Sequence, residues 1–136
     1  MTTEEIIEVT RESLRAWPLF KEDHDVRCRE IGDNRFWIGY RTAVDLPLRS
    51  TTHFNVNVIC GIFYLLDIEI QEKSRGKGHG NHLYVICEDL AAKLGCTEIR
   101  QTPSGWANGE TRLEYLMRRG WKEDGNEVFK AIALSS

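Results

Sequence analysis

Six consecutive residues, Arg75-Gly76-Lys77-Gly78-His79-Gly80, gather what is needed to hold a phosphate. Three alternating glycines let backbone N–H groups approach a ligand with no Cβ in the way. An apolar run ends at Ile70, just before them, and a helical stripe opens at Leu83, just after. A helix start adds unpaired N–H donors and a partial positive charge. Together these make a site for a pyrophosphate, with Arg75 and Lys77 at its rim. Two better-known phosphate loops fail on spacing: a Walker loop needs Ser or Thr after Lys77 and a glycine at 71, and a dinucleotide fingerprint needs a glycine at 81, where Asn stands. A tight turn that binds nothing is the alternative, but three glycines cost backbone entropy that a plain turn does not require.

Two carboxylates, Asp67 and Glu69, alternate with apolar neighbours just before this loop, on one face of the expected strand. Either could take a proton, directly or through water, or both could be solvated or salt-bridged. The four cysteines, Cys28, Cys60, Cys87 and Cys96, form no Cys-x-x-Cys pair, and no His lies at ligand spacing from them. They read as reduced, buried cysteines. No metal site and no nucleotide triphosphate site is expected. His79 lies in the glycine loop and is placed to flank phosphate; His82 falls one turn on, as a helix-surface residue; His24 and His53 receive no role. Trp106, two residues before Asn108, is placed to wall a substrate, and Trp17, Trp37 and Trp121 read as core.

The elements that must position these groups follow from periodicity. Residues 3–16 form a helix with Thr3 as cap, Glu4 and Glu5 in the first turn, Ile6, Ile7, Thr10, Leu14 and Trp17 in step, and Pro18 beyond. Residues 26–31 and 36–40 form a hairpin around Gly32-Asp33-Asn34, with Phe36, Ile38 and Tyr40 on one face. Residues 42–52 form a loop. Phe54 to Cys60 alternates as a strand, and Gly61 marks either a bulge or a strand boundary. Ile62 to Ile70 reads as a buried central strand. Leu83, Ile86, Cys87, Leu90, Ala91 and Leu94 make a helix that Gly95 stops. A strand over 96–102, a helix over 110–119 ended by Gly120 and a strand over 128–134 complete the order. The expected fold is one α/β layer: a single sheet with helices packed on it, in a single domain over 1–136.

The 136 residues suit one domain with its own core. Hydrophobic residues at 41% and charged residues at 29% fit a globular chain rather than a disordered one. A net charge of −3, without an aromatic–basic surface pattern, argues against nucleic-acid binding. The N-terminal residues lack a basic n-region and an apolar h-region, and the longest apolar stretch, 56–70, is broken by polar residues. The expectation is a cytoplasmic protein without membrane contact; a homodimer is compatible with the sequence.

With these residues in view, the sequence resembles the GNAT superfamily of N-acetyltransferases. The family signature Arg/Gln-x-x-Gly-x-Gly/Ala is met by Arg75-Gly76-Lys77-Gly78-His79-Gly80, and the strand end Ile68-Glu69-Ile70 stands at the family's usual distance from Arg75. The resemblance covers about residues 58–134; the family's usual first strand is not visible before the 3–16 helix. It implies a mostly antiparallel twisted sheet of the acyl-CoA N-acyltransferase type. It also implies acetyl-CoA as co-substrate, with the CoA pyrophosphate on the amides of residues 75–80, its pantetheine arm along Ile68, Glu69 and Ile70, and Asn108 contributing nearby. The 62–70 strand would splay from the 96–102 strand, and the thioester would lie in the gap.

The chemistry so implied is transfer of an acetyl group to an amine-bearing small molecule or peptide, by direct attack in a ternary complex. A backbone N–H within 66–70, at Ile68 or Glu69, would polarise the carbonyl. The family's acid is a tyrosine on the helix that 110–119 resembles, which points to Tyr115. The spacing from Asn108 to Tyr115 matches the family; the spacing from Tyr115 to Gly120 is one residue longer, and counting back from Gly120 lands on Leu116. The alternative to an enzyme is a catalytically silent CoA-binding module of the same fold, used for regulation or protein contact.

Overall fold

A computed structural model describes residues 2–16, 26–40, 52–69, 79–103, 106–107 and 110–132. Helix α1 (Thr3–Arg15) opens on Thr2, one residue earlier than expected: its Oγ1 accepts from the Glu5 N–H at 3.1 Å. Ile6, Thr10 and Leu14, spaced by four, are its buried stripe, and the Thr10 hydroxyl is satisfied by donating to the Ile6 carbonyl at 2.8 Å.

Strands β1 (Val26–Gly32) and β2 (Arg35–Tyr40) form the expected hairpin, and β3 (Thr52–Ile59) adds to β2. Phe36, Ile38, Tyr40, Phe54 and Val56 are buried on one face. Between β3 and β4 (Ile62–Glu69), Cys60 and Gly61 both take positive φ, 51° and 76°. That is the two-residue turn matching strand twist, so Gly61 marks a strand boundary and not a bulge.

Helix α2 (His79–Lys93) buries Leu83, Ile86, Cys87, Leu90 and Ala91, and Gly95 ends it at φ 75°. Strand β5 (Glu98–Gln101) follows, then a small pair, β6 (Trp106–Ala107) and β7 (Glu110–Thr111), then helix α3 (Arg112–Arg118). Strands β8 (Lys122–Asp124) and β9 (Glu127–Ala131) close the described chain. The 110–119 helix is thus shorter than its pattern, with its first two residues in a strand. The β6–β7 pair and β8 were not foreseen: β8 is Lys-Glu-Asp, wholly exposed, and carries no apolar alternation.

The main sheet runs β1-β2-β3-β4-β5-β9-β8, antiparallel throughout except for the β4–β5 pair. It is the mixed, mostly antiparallel fold expected. Helices α1 and α2 pack on one another and on the sheet, and the core lies between. His82, expected on the helix surface, is instead 8% exposed, with Nε2 3.0 Å from the Ser13 carbonyl of α1. Of the cysteines, Cys87 and Cys96 are buried as expected, whereas Cys28 is half-buried and Cys60 is exposed at the hairpin turn. Arg100 joins β5 to the last two strands, pairing with Glu98, with Asp124 at 2.8 Å and with Glu127 at 3.3 Å.

Candidate functional site

Strand β4 changes character halfway along. From Ile62 to Leu65 it is paired on both sides, to β3 through Ile59↔Ile62 up to Val56↔Leu65, and to β5 through Ile62↔Glu98 up to Leu65↔Gln101. Pairing with β5 stops there. On the β3 side Asn55 still faces Leu66, but the next match is His53 with Glu69, so two residues of β4 oppose one of β3. This is a β-bulge at Asp67-Ile68, with Asp67 at φ 44° in the left-handed region that Asp tolerates better than most residues. The Asn55 amide donates to the Asp67 carboxylate at 3.2 Å and ties the bulge to β3.

Where β4 leaves β5, a cleft of about 520 Å³ opens. Residues 65–69 of β4 form one wall, Gln101 of β5 and the following Thr102 another, and His53 and Arg112 close it from β3 and α3. A strand that parts from its parallel neighbour at a bulge leaves backbone groups facing the gap rather than the ladder.

The predicted residues divide clearly. Asp67, Ile68 and Glu69 come together on the cleft wall, with both carboxylates exposed. The simple alternation expected of them is broken by the bulge, which shifts the face of everything after Asp67. His79 and Gly80 open α2, while Ile70, Arg75, Gly76, Lys77, Gly78 and Asn108 lie outside the described residues, as does Trp17. Trp106 lies in β6. Trp121 is buried as expected; Trp37 is half-buried on the sheet.

Tyr115 is 5% exposed and is not among the described residues lining the cleft. Its ring centroid is 6.1 Å from that of Tyr84, and the guanidinium carbons of Arg118 and Arg119 stand 5.6 and 5.4 Å from it. Leu116, its rival in register, is wholly buried. Tyr84 touches Tyr115 with its ring and reaches two cleft residues with its hydroxyl. Its hydroxyl donates to Gln101 Oε1 at 2.7 Å and accepts from Arg112 Nη1 at 3.4 Å, and both partners line the cleft. Burial pushes the Tyr84 hydroxyl above its ordinary pKa, against the pull of Arg112 and of its hydrogen bonds. A capping box at Thr111 and Glu114 starts α3 and fixes the backbone at Arg112, the first helical residue.

His53, Gln101, Tyr84 and Arg112 are the groups at or behind the cleft that sequence reasoning passed over. Their positions depend on pairing between distant segments, and no local motif marks them. Among the described residues no group of three or more His, Cys, Asp or Glu could hold a metal, and no helix is long and apolar enough to cross a membrane.

No protein-family model matches the sequence, and no curated protein matches it. Solved structures do. The chain superposes on the ribosomal-protein-S18-alanine N-acetyltransferase of Escherichia coli with a TM-score of 0.58, at 12% identity, over 77% of this chain and 74% of that one. A protein of Klebsiella pneumoniae described as an acyl-CoA N-acyltransferase gives 0.57 at 16% identity, over 96% and 92%. The PaiA N-acetyltransferase of Thermoplasma acidophilum, solved with coenzyme A, gives 0.53 at 16% identity, over 71% of this chain and 58% of that one. The chain has the fold of the GNAT acyl-CoA N-acyltransferases.

Proposed function

We propose that this chain, built on the acyl-CoA N-acyltransferase fold, moves an acetyl group from acetyl-CoA to an amine by direct attack in a ternary complex. The observation that carries the reading is the parting of β4 from β5 at the Asp67-Ile68 bulge, which opens a cleft directly before the segment holding the glycine motif. That segment runs into α2, so a pyrophosphate held there sits at a helix start. The pantetheine arm would lie along Ile68, Glu69 and Ile70. The bulge supports Ile68 N–H as the donor to the thioester oxygen, because among the described residues it has no register partner on β3.

The amine must be neutral to attack, and Asp67 and Glu69 give the cleft an acidic wall that suits a cationic amine. Asp67 is engaged by Asn55, which leaves Glu69 the better placed of the two carboxylates to meet the charge of the amine. The departing thiolate takes a proton from Tyr115, by its place on α3 and by the resemblance, or from the Tyr84 hydroxyl, which touches Gln101 and Arg112 of the cleft. No protein nucleophile is needed. The chain would act in the cytoplasm as a single domain, on a small molecule or a peptide, without nucleic acid, membrane or metal.

The test is an acceptor screen with acetyl-CoA, read by thiol release, beside calorimetry with CoA. Thiol release that depends on an amine supports the reading. CoA binding without release for any amine assigns the fold to a silent module.

A further inference from the structure

We infer that His53 is the base that takes the proton from the attacking amine, and that Trp37, seated on Gly39, holds its imidazole at the cleft. The assignment rests on the chain's being an acyltransferase. His53 lines the cleft from β3 and stands opposite Glu69 in the antiparallel register. It is half-buried, so it meets both the cleft and water.

Its support comes from the next two strands. Gly39 of β2 is the cross-strand partner of His53, and Trp37 lies two residues before Gly39. A Cβ at Gly39 would run into the six-membered ring of Trp37, at 2.9 Å from Cζ2 and 3.0 Å from Cζ3. The indole therefore lies flat over Gly39, which is buried beneath it. This brings the indole to His53 as a diagonal neighbour, ring centroids 5.6 Å apart and planes 32° from each other. Arg29 of β1, opposite Trp37 in register, places its guanidinium carbon 4.7 Å from the ring centroid. The array Arg29, Trp37, His53 thus crosses three strands and ends at the cleft. A glycine at 39 is what permits it: with any Cβ there the indole lifts and its hold on the imidazole goes.

As a chemical class, imidazole is better matched than a carboxylate to proton transfer near neutral pH. Base efficiency peaks when the pKa lies near the working pH, and an ordinary His titrates near 6.5 against about 4.3 for Glu. Among the described residues, the charged groups that line the cleft with His53 are Asp67 and Glu69 on β4 and Arg112 on α3, and Arg29 stands on Trp37. The carboxylates suit an incoming ammonium, which gives one proton to water before it attacks as the neutral amine. In the step, one amine N–H proton passes to a His53 ring nitrogen, the amine lone pair forms the C–N bond, and the C–S bond breaks to thiolate. His53 then returns its proton to water.

The experiment measures thiol release from acetyl-CoA with three named acceptors, spermidine, a tetrapeptide with a free N-terminal alanine, and kanamycin, across pH 5.5–9.5. Wild type, His53→Gln, His53→Ala and Gly39→Ala are compared, with folding checked by melting. His53→Gln should lower kcat by roughly 10²-fold or more and lose the acid limb of the pH profile, with KM for acetyl-CoA held within a few-fold. Free imidazole should restore part of the His53→Ala rate. Gly39→Ala should lower kcat by up to about 10²-fold and move the same limb, since a base displaced by about 1 Å loses that much. If active wild type and His53→Gln share one kcat and one pH profile, the inference fails and acyl transfer stands. Should His53→Gln not fold, an unchanged profile in Gly39→Ala together with no imidazole rescue overturns it. Wild type that binds acetyl-CoA by calorimetry yet releases no thiol with any of the three acceptors removes both readings.

Discussion

The two halves of β4 sit four residues apart and obey different rules. In the first half, Phe63 and Leu65 are buried, paired on both sides and in strict alternation. In the second half, residues 66–69 lose their β5 partner, bulge against β3, and put two carboxylates into the open. The first half is chosen by packing, the second by what it leaves unpaired. A backbone that gives up ladder hydrogen bonds and accepts a left-handed Asp67 sacrifices stability, and such local violations are expected where a site is built. Substitutions in the first half should therefore change stability and leave per-molecule chemistry intact, while those around the second half should do the reverse.

The largest separation is expected at Tyr115. Tyr115→Phe keeps the ring against Tyr84 and the two arginines, so melting should hold within a few degrees while turnover falls by roughly 10²–10⁴-fold, the range for an added acid. The expected result is a kcat loss at unchanged CoA affinity. If Tyr115→Phe turns over like wild type and Tyr84→Phe does not, the donor is the hydroxyl that touches Gln101 and Arg112.

Phe63→Ala is the mirror case. The side chain is fully buried in the doubly paired half, and its loss should cost about 3–5 kcal/mol in chemical denaturation. Activity per folded molecule should stay within twofold; a drop beyond that would mean the two halves are mechanically one. For the loop that follows, Gly78→Glu should weaken CoA at least tenfold by calorimetry, through its Cβ and its charge against the pyrophosphate.

How legible was this division in the sequence? The first half of β4 was, because alternation and β-branched residues report burial directly. So was α2, stopped by Gly95. The bulge was not. Gly61 drew attention as a bulge candidate, but the hairpin turn took it, and the bulge fell on Asp67, a residue with no glycine signal. Position 67 is left-handed within a bulge against β3, just past the last β5 pair at Leu65, and both are set by strands distant in sequence. His53, Gln101 and Arg112 were passed over for the same reason: each is ordinary in its own segment and becomes a site residue only through register. Strand β8 escaped because an exposed edge strand needs no apolar face.

At the bulge itself the effect should be smaller and its sign informative. Asp67→Val places a β-branched residue at φ 44° and should cost about 1–2 kcal/mol, whereas Asp67→Gly should be close to neutral because glycine accepts that φ freely. Both lose the Asn55 hydrogen bond, so the difference between them isolates backbone strain. Equal melting of the two would mean that the bulge is not held in the left-handed region in solution.

The smallest effect belongs to the cap of α3. Thr111 Oγ1 accepts from the Glu114 N–H at 3.1 Å, and the Glu114 carboxylate accepts from the Thr111 N–H at 3.3 Å, two donors satisfied reciprocally. The helix has seven residues, too few to be stable by propagation, so the cap decides where it starts. Its first residue is Arg112, which lines the cleft and donates to the Tyr84 hydroxyl at 3.4 Å. Thr111→Ala should cost about 1 kcal/mol in stability. If the cap also positions Arg112, turnover falls several-fold while CoA affinity stays put, because the glycine motif proposed to hold CoA precedes another helix. Thr111→Ser keeps a hydroxyl that can accept from the Glu114 N–H and should recover most of each loss. A cap that only stabilises would show the 1 kcal/mol and no change in kcat. That outcome would mean that Arg112 keeps its place at the cleft without the cap, held by its contact with the Tyr84 hydroxyl.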